Sequence, residues 1–182
     1  MQAAGPARRT DHGDRHARFE RIYAAHYQLI LAYALRRTET RDDAADVVAE
    51  TFLTAWRRQE QAPDGPTVRL WLYGIARRVL ANHLRGRRRH ERLGTRLRSG
   101  AAGADHTSRP AAAITEARTA IGSAFDRLKA ADRDLLVLVA TEGLTTSEVA
   151  QVLGCSATTV RVRLHRARAR FARELTAEGV EV

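Results

Sequence analysis

The sequence predicts an all-α protein of two small helical domains joined by a flexible basic linker, and three observations predict it. Aromatic residues are 5% of the 182 positions and there are 12 glycines and 4 prolines, while Ala, Leu, Val and Arg dominate, a composition suited to helices more than strands. Apolar residues recur at three- and four-residue spacing along two separate stretches. Between them lies a run of Arg, Gly, Ala and Ser without a sustained apolar stripe. At ~100–200 residues per domain, the length allows one ordinary domain or two small ones.

Residues 1–17 mix Gly, Pro, Arg, Asp and His with no hydrophobic period, so a disordered tail is expected: nothing there offsets the entropy of ordering. Phe19, Ile22, Tyr23, His26, Leu29, Ile30 and Tyr33 then mark one face of a first helix, which the polar residues 36–41 end. A second stripe at Ala45, Val48, Phe52 and Trp56 is opened by Thr40, Asp42 and Asp43, a cap and first-turn acids. Pro63-Asp64-Gly65-Pro66 breaks the chain. A third helix is expected over about 69–85, with Leu72, Ile75, Ala76 and Val79 inward. The basic stretch 86–110 follows, carrying Arg87, Arg88, Arg89, Arg92, Arg96 and Arg98. Helical pattern resumes near Ile114 through Ile121, Phe125 and Leu128, and residues 135–139 are apolar on almost every face, as in a short buried helix. These readings give a tail over 1–17, a first domain over 18–90, a linker over 91–115 and a second domain over 116–178.

The second domain holds the strongest local pattern. Thr145 and Glu148 form an S/T-x-x-E capping box, in which each side chain satisfies an orphan amide at a helix start. Val149, Ala150 and Leu153 follow as an inner face, Gly154 can take the positive φ of a tight turn, and Ser156 can cap the next helix. In that next helix Val160, Leu164, Ala167 and Phe171 share a face, which sends Thr158, Thr159, Arg161, Arg163, His165 and Arg166 outward. A helix-turn-helix with such a face fits the major groove: its first residues meet base edges, its later arginines meet phosphates. Arg161 and Arg163 are each placed for a bidentate contact to guanine. The competing reading of an Arg-rich helix is a solvated face on a structural hairpin, and the caps and turn favour DNA binding over it.

Charge and chemistry narrow the function. The 31 Lys and Arg against 21 Asp and Glu leave a formal net charge of +10, which favours nucleic-acid partners. The single cysteine, Cys155, excludes an internal disulfide framework, and neither a signal-peptide core nor a membrane-length apolar run is present, so a cytoplasmic protein without membrane insertion is expected. The seven histidines show no H-E-x-x-H or Cys/His pairing, and no phosphate loop, Ser/His/Asp arrangement or acid pair with catalytic spacing occurs. No enzyme, metal or cofactor is expected.

In the first domain Asp43, Asp46 and Glu50 lie on one side of the second helix, while the third ends with Arg77, Arg78, Asn82 and Arg85. Acid and base read as segregated, the acids for a protein partner and the bases for phosphates, although acids near a helix N-terminus also serve the helix dipole. Three segments carry a resemblance: Asp42-Asp43-Ala44-Ala45-Asp46-Val47-Val48-Ala49-Glu50-Thr51-Phe52-Leu53-Thr54-Ala55-Trp56, then Trp71-Leu72-Tyr73-Gly74-Ile75-Ala76-Arg77, then Thr159-Val160-Arg161-Val162-Arg163-Leu164-His165-Arg166-Ala167-Arg168. Together, and in this order, the chain resembles bacterial RNA polymerase sigma factors of the extracytoplasmic-function (ECF) group of the sigma-70 superfamily, over about 19–90 and 116–175.

The resemblance implies a sigma region 2-like helical bundle and a sigma region 4-like helix-turn-helix. The factor would bind core RNA polymerase, recognise two promoter elements and assist melting, with an anti-sigma factor as a further partner. It implies core-polymerase docking by Asp43, Asp46 and Glu50, and minus-ten DNA contacts by Arg69, Trp71, Tyr73, Arg77, Arg78, Asn82 and Arg85. The third helix and the Pro-Gly loop before it resemble the reader of a base captured from the melted strand. Minus-thirty-five contacts are implied for Ser156, Thr158, Thr159, Arg161, Arg163, His165, Arg166 and Arg168. The linker resembles basic linkers that thread through the polymerase, with a solvated spacer as the alternative. Arg78, Asn82, Thr158 and Val162 depart from the common family residues, so no base preference carries over, and Ala49 stands where the family commonly has a glutamine that bonds to core. Two rivals stay open on sequence alone: a stand-alone helix-turn-helix repressor or activator, and a general nucleic-acid-coating protein.

Overall fold

A computed structural model describes the backbone of residues 7–97 and 112–180, and the side chains of 13–86 and 120–180 within them. The described residues form seven α-helices and two short 3₁₀ turns, with no strand among them. The chain divides into two compact units, Met1–Leu97 and Arg98–Val182.

The first unit is a three-helix bundle of α1 (Ala7–Leu35), α2 (Arg41–Arg57) and α3 (Val68–Leu97), each helix touching the other two. Ile22, Ile30, Tyr33 and Ala34 bury the inner face of α1. The helix stops where Arg37 and Thr38 turn back on its last carbonyls: Arg37 Nη1 donates to Tyr33 O at 2.9 Å and Thr38 Oγ1 to Ala34 O at 3.0 Å. Thr40 caps α2 as expected, its hydroxyl accepting from Asp43 N at 3.0 Å. Because α2 lies against both neighbours, its buried face is broad and comprises Ala44, Val47, Val48, Thr51, Phe52 and Ala55. Ala45, expected inward, is exposed; the contact with α3 turns the face toward Ala44 and Val47. At the α1–α2 seam Phe19 meets Trp56 at 5.1 Å between ring centres and Tyr23 meets Phe52 at 4.7 Å.

Two boundaries differ from expectation. α1 begins at Ala7, inside the expected tail, and from Arg15 onward it docks on the segment after α2: Gln59 Nε2 donates to Arg15 O and Arg15 pairs with Glu60 at 3.6 Å. There tertiary contact supplies ordering energy that local pattern lacks. α3 runs past Gly86 to Leu97 and α4 begins at Ala112, so helix occupies both ends of the stretch expected as linker. A glycine inside a helix, as at Gly86 and Gly94 here, costs only about 1 kcal/mol relative to alanine. Residues 1–6 of the tail and 98–111 of the linker lie outside the described residues.

The second unit packs α4 (Ala112–Arg127), α5 (Ala130–Ala140) and α6 (Thr146–Leu153) around α7 (Ala157–Ala177). Val160, Leu164, Ala167 and Leu175 of α7 are buried against Ala124, Leu128, Leu135, Leu138, Val149 and Val152. Phe125 meets Phe171 edge-on at 5.9 Å. Asp132, nearly buried on α5, accepts from Arg170 Nη1 at 2.6 Å and ties α5 to α7.

Candidate functional site

Two surfaces, one on each unit, carry the expected residues. On the first unit a groove of about 640 Å³ runs between α2 and α3. Asp46, Ala49, Glu50, Leu53 and Thr54 line its α2 wall, and Ile75, Arg78, Val79, Asn82 and His83 its α3 wall. Asp46 and Glu50, one helical turn apart, are exposed. Leu53 is 43% exposed beside them and adds an apolar patch. Acid and base therefore share one groove and are not segregated as expected, because α2 and α3 pack side by side. Asp43 differs from its two neighbours: its carboxylate is half-buried and lies 3.0 Å from His83 Nε2. Sequence reading passed over His83, which lies 40 residues from its partner and belongs to no local pattern.

The residues expected at the minus-ten element separate into groups. Trp71, Arg78, Asn82 and Arg85 follow one face of α3 by their spacing of seven, four and three, and Arg85 donates to the Asn82 side-chain oxygen. Arg69 and Arg77, both half-buried, fall on other sides of the helix. Tyr73 is corrected from a base-contacting residue to a core residue. It is 1% exposed and its ring lies 5.2 Å from that of Tyr33, out of reach of any base stacked from outside. Tyr73 follows the inward Leu72 of an apolar run, and the α1 contact extends the buried face to include it.

In the second unit the local chemistry read from sequence is present atom by atom. Glu148 N donates to Thr145 Oγ1 at 3.2 Å, while Glu148 Oε2 accepts from Thr145 N at 2.8 Å. Gly154 takes φ +66°, a left-handed conformation that glycine adopts without steric cost, and turns the chain into α7. Ser156 Oγ accepts from Thr159 N at 3.1 Å and caps α7. Ser156, Thr158, Arg161, Arg163, His165, Arg166 and Arg168 are exposed, whereas Thr159 is half-buried. Arg161 Nη2 donates to Thr158 Oγ1 at 3.0 Å, which holds its guanidinium near the helix start. Val162, 45% exposed, interrupts this polar face with an apolar group. Arg170 does not join the face, since its charge is committed to Asp132. An exposed arginine row beginning at a helix N-terminus presents a positive potential of the kind that attracts phosphate groups.

Among the described residues no three His, Cys, Asp or Glu side chains are grouped to hold a metal. No helix among them is long and apolar enough to cross a membrane.

Comparison with known proteins yields matches to both units. Residues 22–90 match the family described as Sigma-70 region 2, and residues 118–171 match Sigma-70, region 4. The ECF RNA polymerase sigma factor SigL of Mycobacterium tuberculosis is 32% identical over 145 residues, spanning 79% of this chain and 81% of the relative. The ECF RNA polymerase sigma factor EcfG of Rhodopseudomonas palustris is 27% identical over 150 residues, spanning 82% of this chain and 81% of the relative. Among solved structures, CnrH in complex with the cytosolic domain of CnrY matches with a TM-score of 0.58 at 30% identity, over 87% of this chain and 88% of that one. The sigma factor RpoE, crystallised with the anti-sigma factor NepR from Bartonella quintana, shares the fold with a TM-score of 0.61 at 22% identity, over 87% of this chain and 96% of that one.

Proposed function

The chain belongs to the ECF RNA polymerase sigma factors, with a sigma-70 region 2 followed by a region 4, and from that premise we propose how its residues share the work. As a sigma factor it associates with core RNA polymerase, directs it to promoters and takes part in opening the DNA for initiation. We assign polymerase docking and minus-ten recognition to residues 18–90 and minus-thirty-five recognition to 116–178. It works in the cytoplasm, as a binding factor and not an enzyme.

Docking falls to Asp46 and Glu50, whose exposed charges share one helix face and meet a basic partner surface together, with Leu53 beside them burying apolar area. Asp43 supports this surface from beneath through His83. Opening is assisted by capture of an unstacked base beside Trp71, Arg78, Asn82 and Arg85, which lowers the free energy of melted DNA without covalent chemistry. Recognition of the duplex element falls to α7, with Arg161 and Arg163 at base edges and Arg166 and Arg168 at phosphates. RpoE was solved with the anti-sigma factor NepR. We propose that a protein of the same kind holds this chain away from polymerase until it is needed.

The exposed arginine face of α7, set by a capped turn, supports this division of labour most directly. Run-off transcription with reconstituted core polymerase tests it. Specific transcripts should require both core and this chain, and pure protein alone should give no tight, specific gel shift on the same duplex. A stand-alone repressor or activator would bind its operator without core.

A further inference from the structure

We propose that Arg18 is a positioning residue that holds the loop between α2 and α3 in the shape that receives an unstacked promoter base. The proposal rests on the reading of that loop as part of the minus-ten site. Arg18 projects from α1 and reaches three acceptors spread along the loop. Its Nη1 donates to Gln59 O at 3.2 Å, and its Nη2 donates to Ala62 O and to Asp64 Oδ1, each at 2.8 Å. Two further contacts fasten the same end of α1 to the same segment: Gln59 Nε2 donates to Arg15 O, and Arg15 pairs with Glu60.

The loop needs such an anchor from outside itself. Its tip, residues 64–67, is exposed, and Gly65 at φ +68° has nothing within 4 Å of where a Cβ would stand. Within the tip, Thr67 Oγ1 donates to Asp64 O at 3.0 Å, and Ala62 alone of the preceding segment is a buried apolar residue. An open tip without apolar packing loses conformational freedom when it closes on a base, and that loss weakens and blurs capture. A planar guanidinium fixes two carbonyls and a carboxylate at once, so the loop's path is set before DNA arrives. Lysine carries the charge but not the fork.

The test uses holoenzyme assembled from the full chain and core polymerase. Fluorescence anisotropy measures binding of a short single-stranded non-template oligonucleotide carrying the minus-ten element, and of copies with each base swapped. Arg18→Ala should lower the ratio of matched to swapped affinity about tenfold, and Arg18→Lys should restore only part of it. A merely structural defect reduces matched and swapped binding alike and leaves the ratio unchanged. If Arg18→Ala does not fold, Arg18→Lys is read in its place against the same ratio. Gly65→Val, which strains the loop from within, separates two failures. If it lowers the ratio while the Arg18 variants do not, the role of Arg18 is overturned and the loop remains the reader. If neither moves the ratio, the loop is not the reader and both readings fall.

Discussion

Asp43, Asp46 and Glu50 occupy one stretch of one helix, yet only the last two keep their charges in solvent, since Asp43 spends its carboxylate on His83. Charge reversal at the exposed pair should therefore spare the fold, because surface substitutions of this kind change stability by no more than ~0.5 kcal/mol. Like charges opposed at an interface cost several kcal/mol. Asp46→Arg with Glu50→Arg should abolish pull-down of core polymerase and promoter-directed transcription while the melting curve by circular dichroism stays near that of the parent. A double variant that folds and still binds core at parental affinity would remove these two residues from the docking surface. On α7 the arginines divide by position. Arg161→Ala or Arg163→Ala should cost ~1–3 kcal/mol and relax preference at one base, as expected for a guanine contact. Arg166→Ala or Arg168→Ala should weaken all sequences alike and flatten the log–log salt dependence by about 0.9 for each phosphate no longer neutralised. Binding measured across promoter variants and salt concentrations separates the two classes, and identical behaviour of all four would reduce α7 to a phosphate-binding helix.

At the scale of elements, α7 is both the core and the reading head of its unit, so whatever fixes its orientation fixes the reading. Asp132 on α5 does so through Arg170. Removing one partner of a charged hydrogen bond typically costs about 1–3 kcal/mol. Asp132→Ala should lower the stability of the second unit by that amount, read from its denaturant midpoint, and weaken duplex binding, although Asp132 belongs to no exposed face of α7. The caps act at the other end. Ser156→Ala should cost ~1 kcal/mol by leaving Thr159 N without its side-chain acceptor, and amide exchange in the first turn of α7 should rise accordingly. Unchanged exchange there would show that the cap contributes nothing to the helix start.

For the whole molecule, the division into two units, each with its own buried core, separates two binding tasks on one chain. Tethering makes the second binding event intramolecular, which can raise avidity about 10²–10⁴-fold without any new interaction. A protease site placed within residues 98–111 tests this by cutting the chain after folding. The first fragment should keep its helical signal and its association with core, and the second its helical signal and weak duplex binding, while transcription from a two-element promoter falls by one to several orders of magnitude. Full transcription after complete cutting would show that the tether is dispensable.

The sequence by itself determined whatever rests on neighbours in the chain. The capping box at Thr145 and Glu148, the glycine turn at Gly154 and the caps at Thr40 and Ser156 follow from residues within four positions of one another, the outer face of α7 follows from helical period, and the structure carries each of them except that Thr159 is half-buried. Local hydrogen bonding and helical period are legible because their partners are at fixed offsets. Only the tertiary structure decided the pairings made across tens of residues. Tyr73 went to the core because α1 brings Tyr33 against it, and Ala45 went to the surface because α2 packs on two helices. Acid and base met in one groove, His83 found Asp43, and Arg15 and Arg18 of α1 gripped a loop more than forty residues away. A periodic pattern states which face of a helix is apolar but not which neighbour covers it, and a lone arginine or histidine carries no mark of a distant partner. Burial and long-range pairing depend on how helices meet, which only the folded chain decides.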